Sequence, residues 1–530
     1  MEFKVFKGKL KLGETGIIIL IFTTMWLLLL PLKVQATSVI SVNNNKVIQE
    51  KFLGVNAVYH GFAYMPEEES KGMNDNYRKI EFNRVENMNL HIARTWYRPD
   101  FACGDDLMNN FDWNSIKMKA FYSWCKKMKD RNVDIAINPW WSNGTNADVW
   151  WGGQSYQWKV YLPRFSEWLS ESINQLVNVR GFTNIKYVIL LTEGSQGYLD
   201  TEKPSGFLSL WDWHRNIIKE VHIKLVEDNR RNLVKIVGPN NGNGGEHFEE
   251  ALLGCSNEID ILSGHNYDLH DYNAWYDEAK KMVDYAKLIN KPMWFDEYGE
   301  TDKNLRSSPL YGNYIAQAVA GFMNAGCATS MLWLLFDQGY PYPLDKISNK
   351  DSFYNGIHEW GTTYWMPESM EPRPSFYAFS MISKLMGGTG TKVYETTCSS
   401  DVYISASKQL DENWSFLIVN GSNLEKDISV NLSIDINKRL YRYLYDPTLI
   451  RTNVESKNIS HDKVFNKVLN NFTDTIPPKA VVIYSSINDS HRGLSVLNNI
   501  NDTFKLVLSC IIVLSIISIA VVVSKIRPRR

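Results

Sequence analysis

The sequence predicts an α/β fold, a (β/α)8 barrel followed by a C-terminal β-sandwich. Two observations carry this prediction. Residues 51–389 alternate short apolar runs with longer amphipathic stretches, whereas short β-rich segments without a long helix pattern follow from Thr391. Strands that are apolar on both faces, each followed by a helix, are typical of a parallel sheet covered by helices. Eight such units suit a closed barrel.

The predicted barrel strands share an apolar character and open into polar residues. They are Phe52–Asn56, His91–Trp96, Val133–Asn138, Lys186–Thr192, Leu233–Gly238, Ile259–Gly264, Pro292–Asp296 and Ser330–Leu335. Apolar residues at helical spacing predict helices at Tyr77–Met88, Asn114–Arg131, Trp158–Val179, Gly206–Asn229, Glu246–Leu253, Tyr272–Asn290, Tyr311–Ala325 and Ser375–Leu385. A doubly wound sheet is the alternative, but no Gly-rich phosphate turn follows the first strand.

The C-terminal part contains short apolar segments separated by polar turns. They are Lys392–Thr397, Val402–Ser407, Trp414–Asn420, Ile428–Ile434, Leu440–Tyr445 and Ala480–Ser485. Short strands at this spacing predict a β-sandwich over residues 390–486. We expect residues 37–50 to add a strand or two to it, and residues 487–503 to form a polar stalk.

The N-terminus has the layout of a secretory signal. Basic residues precede an apolar run from Ile17 to Leu32, and Val34-Gln35-Ala36 then offers a small-residue cleavage site. This order predicts a signal peptide over residues 1–36. An uncleaved anchor is the alternative.

The C-terminus has the layout of a membrane anchor. The run from Leu506 to Val523 is apolar and uncharged, and a basic tail follows it. This pattern predicts a transmembrane helix over 504–524 and a cytoplasmic tail over 525–530, with a buried terminal helix as the alternative. We therefore expect a single-pass protein of the cell membrane whose folded part is extracytoplasmic.

The charge and cysteine patterns argue against two classes of function. The chain has 57 basic and 58 acidic side chains, so it lacks the positive surplus typical of nucleic-acid binding. Its six cysteines include no C-x-x-C pair, and no His, Asp and Glu cluster has a clear ligand spacing. We expect no metal, cofactor or nucleic-acid partner. A disulfide such as Cys103–Cys125 and the oligomeric state stay open.

Two glutamates follow barrel strands at matching positions. The fourth predicted strand leads into Glu193 and the seventh into Glu297. Active sites of such barrels lie at the C-terminal strand ends, and strands three positions apart can bring two carboxyl groups to the separation of about 5–5.5 Å used by retaining glycosidases. One carboxyl group protonates the leaving oxygen while the other attacks the anomeric carbon. The pair predicts glycosidase activity, although each glutamate taken alone is more often a solvated loop residue.

Other strand ends supply candidate substrate-binding residues. The polar candidates are Arg94, Asn240, His265 and Tyr267. A hydrogen bond from Arg94 would favour the ionised form of the nucleophile, because a nearby cation stabilises a carboxylate. The Tyr267 hydroxyl could act similarly. A packing or loop role is the alternative for each.

Tryptophans are frequent at or just after the predicted strand ends. The chain has 18 of them, and those at or just after strand ends are Trp96, Trp140, Trp141, Trp150, Trp151 and Trp333. The candidates for contact with a sugar are Trp96, Trp140, Trp141 and Trp333. Flat aromatic side chains bury apolar area against the C–H faces of sugar rings. Some tryptophans must belong to the core instead, so we assign only about half of those at strand ends to substrate contact.

Together these residues resemble clan A of the glycoside hydrolases, which are retaining (β/α)8 enzymes. The resemblance covers residues 51–389. It rests on Arg94, Glu193, His265-Asn266-Tyr267, Glu297-Tyr298-Gly299 and Trp333. With the following sandwich and Arg373-Pro374-Ser375-Phe376-Tyr377, the chain is most similar to members of families 39, 30 and 5. The resemblance implies that Glu193 is the acid/base and Glu297 the nucleophile in cleavage of a polysaccharide or oligosaccharide.

One position departs from the clan pattern. Asn usually precedes the acid/base and holds the sugar 2-hydroxyl, whereas this chain has Thr192. A threonine hydroxyl is shorter and cannot reproduce the donor and acceptor of an amide. An unusual sugar, weakened catalysis and a different carboxylate pair stay open, with Asp296 and Asp337 as the nearest substitutes. A transglycosylase and a catalytically silent carbohydrate-binding protein are the alternative functions.

Overall fold

The computed structural model describes residues 37–70, 72–103, 110–139, 158–190, 210–242, 247–339, 353–354, 357–363, 370–450 and 458–489. The predicted signal peptide and transmembrane segment lie outside these ranges. Within the described ranges, every helix is too short or too polar to cross a bilayer.

Eight parallel strands form a closed ring, which confirms the predicted barrel. Each strand pairs with its neighbours in chain order, and the eighth returns to pair with the first. The strands are β1 (Ser38–Val58), β2 (Ile92–Tyr97), β3 (Asp134–Pro139), β4 (Ile185–Ile189), β5 (Lys235–Asn241), β6 (Ile261–Tyr267), β7 (Met293–Gly299) and β8 (Thr329–Leu332). Buried side chains from around the ring, among them Ile189, Val237 and Trp294, fill its interior. The barrel is therefore a packed core that presents functional residues only at its ends.

Helices cover the outside of the ring. They are α1 (Pro66–Ser70), α2 (Asp75–Asn87), α3 (Asp100–Cys103), α4 (Ile116–Asp130), α5 (Trp158–Ile173), α6 (Leu210–Glu227), α7 (Phe248–Leu252), α8 (Tyr272–Leu288), α9 (Lys303–Ser307), α10 (Leu310–Ala325) and α11 (Pro374–Leu385). Asn74, Ser115 and Asp271 begin α2, α4 and α8 by accepting hydrogen bonds from first-turn N–H groups. A π-helical turn over residues 174–179 follows α5, so the helix predicted over Trp158–Val179 is regular only in its first part.

The C-terminal part is rich in β-strands, as predicted. After three two-residue strands, β9 (Gln338–Gly339), β10 (Phe353–Tyr354) and β11 (Ile357–His358), it contains β12 (Gly388–Thr397), β13 (Val402–Lys408), β14 (Trp414–Asn420), β15 (Lys426–Leu432), β16 (Lys438–Tyr445), β17 (His461–Val468), β18 (Asn471–Ile476) and β19 (Val481–Ser485). Residues such as Ile404, Phe416 and Tyr484 form a second core. The sequence pattern missed β17 and β18, because β17 exposes most of its side chains and β18 is largely polar.

The first strand belongs to both parts of the molecule. Residues 38–42 of β1 pair with β15 in parallel, and residues between 41 and 54 pair with β12 in antiparallel fashion. Residues 55–58 then join the ring beside β8 and β2. One continuous strand therefore connects the barrel to the C-terminal sheet without a linker.

The cysteine side chains that the structure describes are free thiols. They are Cys125, Cys255, Cys327 and Cys398. Cys125 is buried within α4, and burial raises the pKa of its thiol. The disulfide considered between Cys103 and Cys125 is therefore not formed.

Glu81 places a carboxyl group in the core between α2 and the end of β1. It is 3% exposed, and it accepts a 3.1 Å hydrogen bond from the Tyr59 hydroxyl. Burial raises the pKa of Glu81 from 4.5 to about 8, against the opposing effects of Tyr59 and Arg84. Since the unfolded chain releases this proton near pH 4.5, the contribution of Glu81 to stability is complete below that pH and is lost as the pH rises towards 8.

We expect Glu81→Gln to remove this pH dependence, because the amide still accepts the Tyr59 hydrogen bond and cannot ionise. The variant should gain about 3 kcal/mol relative to the parent between pH 4.5 and pH 7. Denaturant unfolding across this range measures the difference. Glu86→Gln on the exposed face of the same helix is the matched control, and parallel pH profiles for parent and Glu81→Gln would contradict the expectation.

Candidate active site

Arg94 and Glu297 form the centre of a polar network at the C-terminal ends of the ring strands. Arg94 Nη1 on β2 donates to Glu297 Oε2 on β7 at 2.6 Å, and both side chains are at least 95% buried. The same guanidinium donates to the backbone oxygen of Asp296 at 2.9 Å and to Oδ1 of Asn138 at 2.8 Å. A cation with several fixed hydrogen bonds compensates the buried carboxylate and orients one of its oxygens.

The other oxygen of Glu297 faces β6. The Tyr267 hydroxyl donates to Oε1, and Nδ1 of His265 lies 3.7 Å from the same atom. His265 is itself fully buried, and its Nε2 lies 3.3 Å from the backbone oxygen of Asn240. Side chains from two different strands therefore hold Glu297 by both oxygens, which fixes its orientation in the ring.

Two shifts in strand register help to shape this network. The pairing of β6 shifts by one residue at Asn240 on β5 and again at Asp296 on β7. Asn240 has φ 58°, a left-handed conformation that asparagine adopts more readily than most residues. Its Nδ2 donates to Asp296 Oδ2 at 2.5 Å. Because an extra residue in a strand redirects its side chain, these two side chains meet across β6.

The two substitute carboxylates occupy different environments from Glu297. Asp296 is fully buried, and burial raises its pKa against the opposing charge of Arg94. Asp337 is held by two hydrogen bonds from Arg373, at 2.9 and 2.8 Å, and burial raises its pKa to about 6. Neither accepts a side-chain hydrogen bond from Tyr267 or Arg94 in the described network, so Glu297 is the carboxylate on which those two side chains converge.

Two of the predicted aromatic residues pack together beside this network. The ring centroids of Trp96 and Trp333 lie 5.2 Å apart, and His60 packs on both rings. The backbone N–H of Trp333 donates to the backbone oxygen of Tyr298, the residue after Glu297. The backbone of Trp333 therefore lies beside the strand that carries Glu297, and both indole rings are more than 90% buried.

The structure thus brings together most of the predicted residues that it describes. The network contains Arg94, Asn240, His265, Tyr267 and Glu297. The remaining predictions fall outside the described residues: Trp140, Trp141, Thr192 and Glu193.

Two residues of the network were not predicted. Asn138 is the next-to-last residue of β3 and positions Arg94, and its Nδ2 donates to the backbone oxygen of Ile189 on β4 at 2.7 Å. His60 follows β1 and accepts the backbone N–H of Trp96 at 3.0 Å through Nδ1. Both are polar residues at the end of an apolar strand, which is the signal that selected Arg94, so the same criterion applied to every strand would have found them.

The structure also assembles a group that the sequence spacing did not reveal. Asp268, His270 and Glu300 follow β6 and β7, and one ligand atom of each lies within 4.8 Å of the others. His270 Nε2 lies 2.6 Å from Glu300 Oε2, while Asp268 accepts hydrogen bonds from Thr301. These protein hydrogen bonds already engage the side chains, and we assign no metal to them.

Comparison with known proteins shows which structures share this architecture. No family model matches the chain, and no curated protein sequence is significantly similar to it. A family 30 subfamily 8 xylanase from Clostridium acetobutylicum is 13% identical, with a TM-score of 0.56 over 84% of this chain and 98% of the xylanase. A family 30 xylanase from Talaromyces cellulolyticus is 13% identical, with a TM-score of 0.57 over 84% and 99%.

A third solved structure extends the likeness beyond the xylanases. The α-L-arabinofuranosidase of Thermotoga maritima is 14% identical, with a TM-score of 0.57 over 85% of this chain and 99% of the enzyme. These structures are clan A glycoside hydrolases, so the predicted resemblance is confirmed for the fold. The chain therefore shares the fold of clan A glycoside hydrolases, including those of family 30.

Proposed function

We propose that the protein is a membrane-anchored, extracytoplasmic glycoside hydrolase that cleaves polysaccharides or oligosaccharides with retention of configuration. The observation that carries this proposal is Glu297, a buried carboxylate held by both oxygens at the end of a ring strand. Xylanase and arabinofuranosidase activity in proteins of the same fold supports the reaction class.

In this mechanism Glu297 attacks the anomeric carbon and the leaving oxygen takes a proton from Glu193. Arg94 pairs with Glu297 and holds it oriented until the covalent glycosyl ester forms. Glu193 then removes a proton from water, which attacks the ester and regenerates the free carboxylate. The acid/base role of Glu193 is supported by its position in the chain. Strand β4 belongs to the ring, and Glu193 comes three residues after Leu190, the last described residue behind that strand.

Sugar binding beside Glu297 is assigned to aromatic and polar side chains of the same strand ends. The paired rings of Trp96 and Trp333 are assigned to the C–H face of a sugar, against which their exposed edges would pack. The Tyr267 hydroxyl donates a hydrogen bond to the nucleophile Glu297. As the ester forms, the same hydroxyl can donate to the ring oxygen of the sugar instead. Because Thr192 stands in place of asparagine, we expect weaker hydrogen bonding to the 2-hydroxyl of the sugar.

We expect Glu297→Gln to reduce turnover at least about 10³-fold while saccharide binding persists, since the amide keeps the shape and loses the nucleophile. Reducing-end release from a panel of polysaccharides measures the effect. Glu300→Gln, on the same strand end but outside the Arg94 network, is the control. Equal activity of Glu297→Gln and the parent would overturn the assignment. Binding without release by the parent would favour a silent binding protein.

The Glu193→Gln variant should distinguish the proton-donor role of Glu193 from the nucleophile role of Glu297. We expect it to lose activity on polysaccharides but to form the covalent intermediate with a dinitrophenyl glycoside, because that leaving group departs without protonation. Rapid-quench measurement of the released phenol tests this. Loss of the burst in Glu193→Gln would contradict the acid role, whereas transfer to an added sugar by the parent would favour a transglycosylase.

Arg94→Lys should lower kcat by about 10²-fold, because an ammonium group cannot replace all three hydrogen bonds of the guanidinium. Steady-state kinetics together with circular dichroism separate this effect from misfolding. Arg231→Lys, which also replaces a guanidinium with several acceptors, lies away from the network and should retain kcat. A fully active Arg94→Lys would remove Arg94 from the mechanism.

The membrane anchor gives a separate expectation. The apolar run from Leu506 to Val523 should hold the full chain in the membrane fraction. Deletion of residues 504–530 should release the protein without loss of activity. Fractionation after carbonate washing measures this, and release of the full chain into the soluble fraction would contradict the anchor.

A further inference from the structure

A solvent-open cavity of about 500 Å³ lies between the barrel helices and the C-terminal sheet. Its walls come from α8, from the end of α10, and from β1 and β12 near the point where they pair. Glu297 and its partners do not line it. Cavities of a few hundred Å³ are typical of sites for small ligands, so this cavity is large enough for a short oligosaccharide.

Stacked tyrosine rings form the wall on the barrel side. Tyr272 is stacked between Tyr276 at 5.9 Å and Tyr403 at 4.3 Å, and the three rings are nearly parallel. Tyr272 and Tyr276 line the cavity, and Tyr276 is the partly exposed end of the stack. A sugar ring placed on Tyr276 would continue the stack through its C–H face.

Hydrogen bonds hold the floor of the cavity in place. Asn324 Nδ2 donates to the Tyr272 hydroxyl and to the backbone oxygen of Ile404, each at 2.9 Å. Asn324 Oδ1 accepts from the hydroxyls of Thr396 and Ser405, each at 3.0 Å. The floor is therefore preorganised, and a ligand need not order it on binding.

Lysines dominate the rim. Lys46 pairs with Glu395 at 2.6 Å, whereas Lys280 and Lys287 share the single carboxylate of Asp284. Three lysines thus line the cavity beside the single carboxylate of Glu395, whereas Asp284 pairs with two of them from outside the lining. One further anion in the cavity would balance the positive charge of this set, since opposite charges attract.

We propose that this cavity is a second saccharide-binding site, separate from the Glu297 network, that takes a short oligosaccharide carrying a carboxylate, such as a uronate. The flat tyrosine wall suits the sugar ring, and the lysine rim suits its acidic group. Binding here requires no turnover at Glu297, so the site is independent of the proposed hydrolysis. It would hold an acidic segment of a polymer against the outside of the barrel.

Calorimetric titration of the full chain tests the site, with tetragalacturonate and tetramannuronate as acidic probes and cellotetraose as the neutral probe. Tyr276→Ala removes the stacking surface, and Lys46→Gln removes a rim charge from a side chain that is 61% exposed. Tyr441→Ala and Lys126→Gln are the matched controls, on β16 and α4 respectively. We expect each cavity variant to bind an acidic probe about tenfold more weakly and each control to bind it like the parent.

Three results would overturn the proposal. One is absence of binding of both acidic probes to the parent. Another is an affinity that stays unchanged in Lys46→Gln and Tyr276→Ala, which would place the ligand elsewhere on the chain. The third is equally tight binding of cellotetraose, which would remove the role of the lysine rim.

Discussion

The buried ion pair between Arg94 and Glu297 links two ring strands at the C-terminal end of the barrel. Its partners lie on β2 and β7, which are connected in the ring through β1 and β8. A lone charge at this depth would cost about 3–5 kcal/mol, so both strands must keep their positions for the pair to persist. Ring closure between β1 and β8 is therefore a requirement of the site as well as of the fold.

The network is built where regular strand geometry is interrupted. Asn240 and Asp296 are the residues at which the register shifts on either side of β6, and their side chains join across that strand. Regular alternation would direct neighbouring residues to opposite faces. The shifts allow consecutive residues of β7 to take part in one network, with Glu297 bound to Arg94 and Asp296 bound to Asn240.

The ring was predictable because its signals are local. An apolar strand followed by a helix needs only the spacing of residues in the chain, and polar strand ends such as Arg94 and Glu297 are visible from the same pattern. The contacts that give these residues their environment are not local. The hydrogen bond from Asn138 to Arg94 and the Asn240–Asp296 pair depend on closure and register, which leave no mark in sequence spacing. The strands β17 and β18 were not predicted, because their many polar or exposed residues leave no apolar run or alternation to recognise.

The continuous strand β1 also determines how the molecule can be divided. Residues 38–54 are covered by β12 and β15, whereas residues 55–58 complete the ring. A fragment ending before β12 would keep a ring strand whose first half has lost its neighbours. Unpaired strand edges recruit other chains and promote aggregation. The barrel and the C-terminal sheet are therefore expected to fold and unfold as a single cooperative unit, and domain boundaries drawn from the chain alone do not mark a place where the protein can be cut.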